Sequence, residues 1–344
     1  MTPRSFVLGV LSISLVLGDA CFANDAPTPT ITDPVYAQAQ QLVDMDHGRR
    51  MNLYCRGSGS PVVVMDAGMG DSTISWALVQ PAIAKVTKAC SFDRAGLGFS
   101  DAAKRPGTAI NSSEDLHALL KAARVDPPYI LVTHSMAGMY ARVYADSYPD
   151  EVVGMVLVEP SHEDQSVRGW AIGAPDQKAK WDAWLQQRHT CIDDAKKGLV
   201  SGTPAYARCV GDADPRLSLA INQAQSRYAS TVRWQTALLS EQQNVFYTSA
   251  DQVRATRKNF GDIPILVLTH SPYKKSNDET QGERDRRTLL WEDLHLQIAA
   301  MSSRGVNEIV PSTGHFIQYD RPQVVIDAVN QALMIARQAP DRGP

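Results

Sequence analysis

A serine becomes a strong nucleophile when a sharp turn presents it to a base and to N–H groups that can hold an oxyanion. Residues Ile130 to Gly138 read Ile-Leu-Val-Thr-His-Ser-Met-Ala-Gly. An apolar, strand-like run enters a turn with Ser135 at its apex, and a helix-like stretch leaves it. Such a turn strains its central residue, so the positions two before and two after must be small; Gly-x-Ser-x-Gly is the common solution. Thr133 and Ala137 hold those places here, with Gly138 just beyond. Both side chains are short, so the departure is mild. The chemistry would be attack of the Ser135 hydroxyl on a carbonyl carbon. The plain alternative is a serine in an ordinary strand-to-helix turn.

A serine nucleophile needs a base, and the chain has eight histidines. His315, in Ser312-Thr313-Gly314-His315-Phe316, follows a strand-like run and precedes a helix. That places it at a strand's C-terminal end, where α/β sites gather. His162 and His270 also follow strands and are its rivals. His47 falls in a hairpin turn, and His117, His189 and His295 fall in helical stretches. His134 adjoins the serine, but the turn should point it away from Ser135. An oxyanion needs two N–H donors: one from Met136, after the nucleophile, and one from a loop after an early strand. Asp66-Ala67-Gly68-Met69-Gly70 is such a loop, with Met69 as donor. It lacks the Lys-Ser/Thr of a phosphate-binding loop and the full dinucleotide fingerprint. The chain order for this chemistry is Ser, acid, His, so the acid should lie between 135 and 315.

These residues need a scaffold, and the chain supplies a rhythm of strand, Gly-rich turn and helix. Gln41–Asp46 and Arg49–Arg56 flank His47-Gly48 as a hairpin. Short apolar runs follow at Val62–Met65, Cys90–Asp93, Tyr129–Thr133, Val153–Val158, Ile263–Leu268 and Val306–Val310. Bounded by turn signals and separated by helical segments, they read as buried parallel strands of an α/β fold. Residues 161–261 break the rhythm. Trp181, Trp184 and Leu185 sit at helical spacing, and Leu217, Ile221, Ala224, Tyr228 and Val232 mark one face of a long amphipathic helix. This stretch reads as a helical insertion.

The chain resembles the α/β-hydrolase superfamily, particularly its bacterial, secreted, serine-dependent esterase-like members. The resemblance rests on Asp66-Ala67-Gly68-Met69-Gly70-Asp71-Ser72 with Trp76, on Asp93-Arg94-Ala95-Gly96-Leu97-Gly98-Phe99-Ser100-Asp101, on Thr133 to Gly138, on Glu159-Pro160-Ser161-His162, and on Gly314-His315. It covers residues 41–160 and 262–338. It implies an eight-stranded, mostly parallel sheet flanked by helices, with a helical cap (161–261) inserted after the sixth strand. Trp76 and Phe316 are then expected at the substrate. The family's usual acid position, after the seventh strand, holds Tyr273, which cannot serve as a carboxylate. Asp278 follows in a charged segment. The other family location is the end of the sixth strand, which places Glu159 there. A lone carboxylate after a buried apolar run needs a partner, and an imidazole N–H would provide one. Glu159 is the expected acid and Asp278 the runner-up; Glu163 and Asp164 are weaker candidates. The alternative for Glu159 is a structural role on backbone or Arg94. Asp93-Arg94 reads as a structural ion pair beside the oxyanion loop. Trp170, Trp181 and Trp184 read as cap packing.

Composition bounds the rest. With 34 Lys+Arg against 37 Asp+Glu, 44% apolar and 21% charged residues, the chain is of globular type and lacks the basic excess of a nucleic-acid binder. Arg4 and the apolar run Phe6 to Leu17 make residues 1–23 a secretory signal, with cleavage expected after Ala23 and Ala20 as second choice; Cys21 fits a lipoprotein signal poorly. Residues 24–40, rich in Pro and Thr, read as a linker. No later run is long enough to cross a bilayer, so no stable membrane anchor is expected and the protein is expected in the periplasm or outside the cell. Cleavage would leave Cys55, Cys90, Cys191 and Cys209, whose even number suggests two disulfides with three possible pairings. Cys55–Cys90 with Cys191–Cys209 is the expected pairing; in the fold that the resemblance implies, the second and fourth strands are neighbours. No spacing resembles a metal site and no cofactor is implied. The expected function is hydrolysis of a carboxylic ester of a small or medium, partly apolar molecule through an acyl-enzyme. Same-fold alternatives are an amidase or aminopeptidase and a lactonase. Relatives that cleave epoxides or carbon–halogen bonds carry Asp at the elbow, against Ser135 here. A non-catalytic ligand-binding protein on the same fold is the alternative of another class.

Overall fold

Eight strands form one sheet in the order β1-β2-β4-β3-β5-β6-β7-β8. The computed structural model describes residues 31–45, 48–173, 177–256, 258–275 and 279–338. The expected signal, His47 and Asp278 lie outside the described residues. The strands are β1 (Gln41–Asp44), β2 (Arg50–Arg56), β3 (Val62–Asp66), β4 (Ala89–Phe92), β5 (Tyr129–His134), β6 (Val152–Val158), β7 (Ile265–His270) and β8 (Gly305–Val310). β1–β2 and β2–β4 pair antiparallel, and every pair from β4–β3 to β7–β8 is parallel. The eight-stranded, mostly parallel sheet expected from sequence is the one observed.

The continuous apolar runs have a physical reason: both faces are covered. Along β3, Val62 and Val64 enter one core cluster, and Val63 and Met65 enter the other. Successive side chains of a strand point to opposite faces, so both must be apolar. The first face is packed by α2 (Ala109–Ala122), α3 (Ala137–Ser147) and α10 (Gln281–Ala299). The second is packed by α1 (Gln80–Ile83), α11 (Ile317–Asp320) and α12 (Pro322–Gln338).

Between β6 and β7 run α4 (Gln165–Ile172), α5 (Gln177–Lys197), α6 (Pro204–Cys209), α7 (Leu219–Ala229), α8 (Val232–Val245) and α9 (Thr248–Ala255). The single long helix expected over 217–232 is two helices. Ser218 caps α7, and Thr231 caps α8 by accepting from the Trp234 N–H at 3.2 Å. An N-cap hydroxyl satisfies an otherwise orphaned donor, so Thr231 starts a new helix where apolar spacing alone would continue the old one. Residues 31–40 are no linker. Ile31 bridges to Leu217, Pro34–Ala37 form a 3-10 turn, and Ile31 and Tyr36 are buried against Ile221 and Leu217. The Pro- and Thr-rich composition hid two buried side chains, Ile31 and Tyr36, with a surface to cover.

Cys55 and Cys90 face each other across β2 and β4 and are joined; Cys191 and Cys209 join α5 to α6. Closing these loops removes denatured-state entropy worth about 4 and about 3 kcal/mol. Among the described residues no helix is long and apolar enough to cross a membrane.

Candidate active site

The C-terminal ends of five strands meet at one place. β3 leads to Gly68 and Met69, β5 to Ser135, β6 to Glu159, β7 ends at His270, and β8 leads to His315. The turn after β5 is strained as its sequence suggested: Ser135 has φ 56°. The Ser135 N–H donates to Val158 O at 3.0 Å, and its carbonyl accepts from Ser161 N at 2.9 Å and Gly138 N at 3.0 Å. A Cβ on Gly138 would lie 2.5 Å from Pro160 Cβ. Glycine is therefore needed at 138, where the helix meets the β6 loop, and the buried Thr133 and Ala137 fit where glycines would usually stand.

His315 Nε2 lies 2.9 Å from Ser135 Oγ, which places the hydroxyl to donate to the ring. His315 Nδ1 lies 3.4 Å from Glu159 Oε2. Glu159 is fully buried and itself has φ 51°, a conformation costly for a bulky residue and concentrated at functional sites. Its Oε1 accepts from the His270 N–H at 2.5 Å, and its Oε2 accepts from Trp291 Nε1 at 3.1 Å and lies 2.6 Å from His270 Nδ1. Burial would raise its pKa, but hydrogen bonding with His270 and His315 outweighs it and brings the carboxyl down to about 2. Glu159 is thus a carboxylate at neutral pH. It makes no pair with Arg94, whose charge goes elsewhere.

The rival histidines have other partners. His162 accepts from the Asp164 N–H and lies beside Glu163; Glu163 pairs with Arg142 and Lys258 at 2.7 Å each, and Asp164 with Arg254 at 3.0 Å. His295 donates from Nε2 to Pro160 O at 2.8 Å and meets Thr269 Oγ1 at 2.6 Å. His134 does not point away from the site. Its Nε2 donates to His315 O at 2.8 Å, and its ring lies 4.7 Å from that of His315 and 5.1 Å from that of Phe316. It holds the base's own backbone. Tyr273, in place of the usual acid, packs edge-on against His270 at 4.4 Å.

On the oxyanion side, a Cβ on Gly68 would sit 3.4 Å from Ser135 Cβ, so the loop passes close over the serine. Among the described residues, neither the Met69 nor the Met136 N–H has a hydrogen-bond partner. Asp93 and Arg94 are not paired with each other, contrary to expectation. Asp93 accepts from the N–H groups of Thr73 and Phe99 and from Asn52 Nδ2. Arg94 turns the other way, to Asp66 and to Glu241 of α8. Burial pushes the Asp66 carboxyl up to about 6 against the pull of Arg94.

A cavity of about 460 Å³ opens over Ser135 and His315. Met69, Val210, Ala229, Trp234 and Phe316 form its apolar wall, and Asp71, Asp212, Gln225 and Ser226 its polar wall. Phe316 is among the residues that line it. Trp76 is not: its ring is fully buried under the sheet with Val63, Val79 and Ile83. An indole flanked by that many apolar side chains stabilises the core more than a wet cavity. Trp181 packs on Trp184 and Phe246, and Trp170 on Phe246. Trp234 and Trp291 were missed as site residues, and no local signal marks either. His134 was read as pointing away from the serine, and His270, at a strand end, as a rival base.

Burial brings the His295 imidazole down to about 4. Between that value and about 6.5 the ring is neutral when folded and protonated when unfolded, so the unfolded chain binds more protons and stability is lost as the pH is lowered through this window. His295→Gln should therefore flatten the pH dependence of unfolding free energy between pH 6.5 and 4 by up to about 1.4 kcal/mol per unit. Urea titrations at pH 6.5, 5.5 and 4.5 would measure it. An unchanged slope would mean that His295 is not buried neutral.

The family model described as alpha/beta hydrolase fold matches residues 61–286. The uncharacterized protein YqjL of Bacillus subtilis (strain 168) is 23% identical over 273 residues, 78% of this chain and 82% of that protein. A candidate lipase from Acinetobacter baumannii AYE superposes with a TM-score of 0.61 at 19% identity, covering 88% of this chain and 93% of that one. Est816, an N-acyl homoserine lactone degrading enzyme, superposes with a TM-score of 0.53 at 17% identity, covering 85% and 99%. At these identities the two structures speak for the fold alone.

Proposed function

The chain belongs to the alpha/beta hydrolase fold family, and from that premise we propose that it is a serine hydrolase acting on carboxylic esters through a Ser135–His315–Glu159 triad. The observation that carries this reading is the 2.9 Å approach of His315 Nε2 to a serine held at φ 56° beneath an open cavity. His315 takes the hydroxyl proton as Ser135 Oγ attacks the carbonyl carbon. The Met69 and Met136 N–H groups bind the tetrahedral oxyanion. Collapse expels the alcohol, protonated by His315, and leaves an acyl-serine. A water activated by His315 then releases the acid. Glu159 keeps the His315 proton on Nδ1 and stabilises the imidazolium.

The cavity is of a size for a small or medium substrate, and its mixed wall suits a partly apolar one. No lysine or arginine is among the described residues that line it, while Asp71 and Asp212 are. A neutral ester therefore fits better than an anionic one. We read the protein as exported, to the periplasm or beyond, a reading that its two disulfides support.

A fluorophosphonate probe should label folded wild-type protein at Ser135, located by peptide mass, with no labelling of heat-denatured protein. A panel of neutral esters, lactones and amides should show highest kcat/KM on an ester. No labelling of folded protein would favour a binding role, and faster lactone or amide turnover would move the substrate class.

A further inference from the structure

Resting on the serine-hydrolase reading, we propose that Arg94 and Glu241 are positioning residues that aim the Met69 N–H at the oxyanion, making cap helix α8 a fixed wall of the site. Arg94 is 4% exposed. Its Nη1 donates to Asp66 Oδ1 and to Ala67 O at 2.5 Å each, and its Nη2 donates to Gly68 O at 2.6 Å. One guanidinium thus holds two consecutive carbonyls of the loop that passes over Ser135. The Gly68 carbonyl and the Met69 N–H belong to one planar trans peptide and point in opposite directions. Fixing the carbonyl on Arg94 fixes the N–H on the far side. Ser135 lies against Gly68, and the Met69 N–H has no other partner among the described residues.

Glu241 completes the clamp from the cap. Its Oε1 accepts from Arg94 Nε at 2.7 Å, and its Oε2 accepts from Arg94 Nη2 at 3.2 Å and from the Gly70 N–H at 2.8 Å. The loop is therefore gripped before and after Met69, by a guanidinium and a carboxylate that also grip each other. The rest of α8 is equally tight. A Cβ on Gly70 would lie 2.7 Å from Leu238 Cδ1, and one on Gly96 2.5 Å from Ala237 Cβ. Arg233 donates to the carbonyls of Gly96 at 3.0 Å and Gly98 at 2.8 Å. A helix tied at so many backbone points does not swing as a lid. Its place in the fold gives the oxyanion donor a direction before substrate arrives, which is what electrostatic preorganisation requires.

The test uses a trifluoromethyl ketone, which adds reversibly to the serine and presents an alkoxide where the oxyanion would be. Arg94→Lys keeps the charge and loses the fork that reaches both carbonyls. It should lower kcat on an ester by about 10², weaken the ketone by the same factor, and leave KM within about twofold. Glu241→Gln keeps the shape and one acceptor, and should show a smaller loss, about fivefold, in the same two quantities. It serves as the second variant if Arg94→Lys does not fold. A purely structural role would instead lower Tm and active fraction without changing ketone affinity per active site. Unchanged ketone affinity in the folded variants, with wild type active, would overturn this inference alone. Wild-type protein that neither hydrolyses esters nor binds the ketone would overturn the serine-hydrolase reading and this inference with it.

Discussion

Ser135→Ala is expected to lower kcat for ester hydrolysis by about 10⁶, the size of effect seen when a triad serine is removed. The reason lies in the geometry. Ser135 Oγ is the oxygen that His315 Nε2 reaches at 2.9 Å, and among the described residues no other hydroxyl bonds that nitrogen. Without it no acyl-enzyme forms, and what remains is weak acceleration of water attack by the N–H donors. The fold should survive. Among the described residues the side chain makes one hydrogen bond, to a histidine whose side chain is 42% exposed, so stability should change by no more than about 1 kcal/mol. Steady-state assays with a thermal melt on the same preparation would show both. Retention of more than a hundredth of wild-type activity, with the melt unchanged, would place the nucleophile elsewhere.

Glu159→Gln carries the second-largest expected effect, a loss of about 10⁴ in kcat. Glutamine has nearly the same shape, but one end of its amide is a donor. The end that receives the His270 N–H at 2.5 Å must be the carbonyl. The NH₂ end then faces the rings, and His315 Nδ1 can only accept from it. The His315 proton moves to Nε2, the nitrogen that must take the Ser135 proton, and the base is lost through its tautomer rather than its position. Asp278→Asn, assayed beside it on the same ester, should stay within about twofold. If Asp278→Asn alone removed activity, Glu159 would be only a buried structural carboxylate. Fluorophosphonate labelling of Glu159→Gln should slow by a comparable factor while its circular dichroism stays native, since a neutral amide costs no more to bury than the carboxylate.

The sequence by itself determined what has a local cause. Apolar runs of strand length, each ended by a turn signal, follow from a sheet buried on both faces. Ser135 was legible because a strained strand-to-helix turn demands small residues within two positions of its apex. His315, Gly68 and Met69 were legible because loops after parallel strands converge on one edge of the sheet. Cap helix boundaries were less so, since the Thr231 cap competes with an apolar spacing that runs straight through it.

Only the tertiary structure brought the expected His315 to the serine, and it alone decided which histidine backs the carboxylate and which holds the loop. His315, His270 and His134 lie 180, 111 and 181 positions from their respective partners Ser135, Glu159 and His315. The sequence put Trp76 at the substrate and left Trp234 unnoticed; the fold buries the first and lines the cavity with the second. Arg94 and Glu241 are 147 positions apart, and nothing near either signals the other. The physical reason is common to all of these. Period and turn chemistry act over a few residues and leave a local trace, whereas a hydrogen bond across the sheet edge exists only once the chain has closed, and its strength depends on the burial that closure creates.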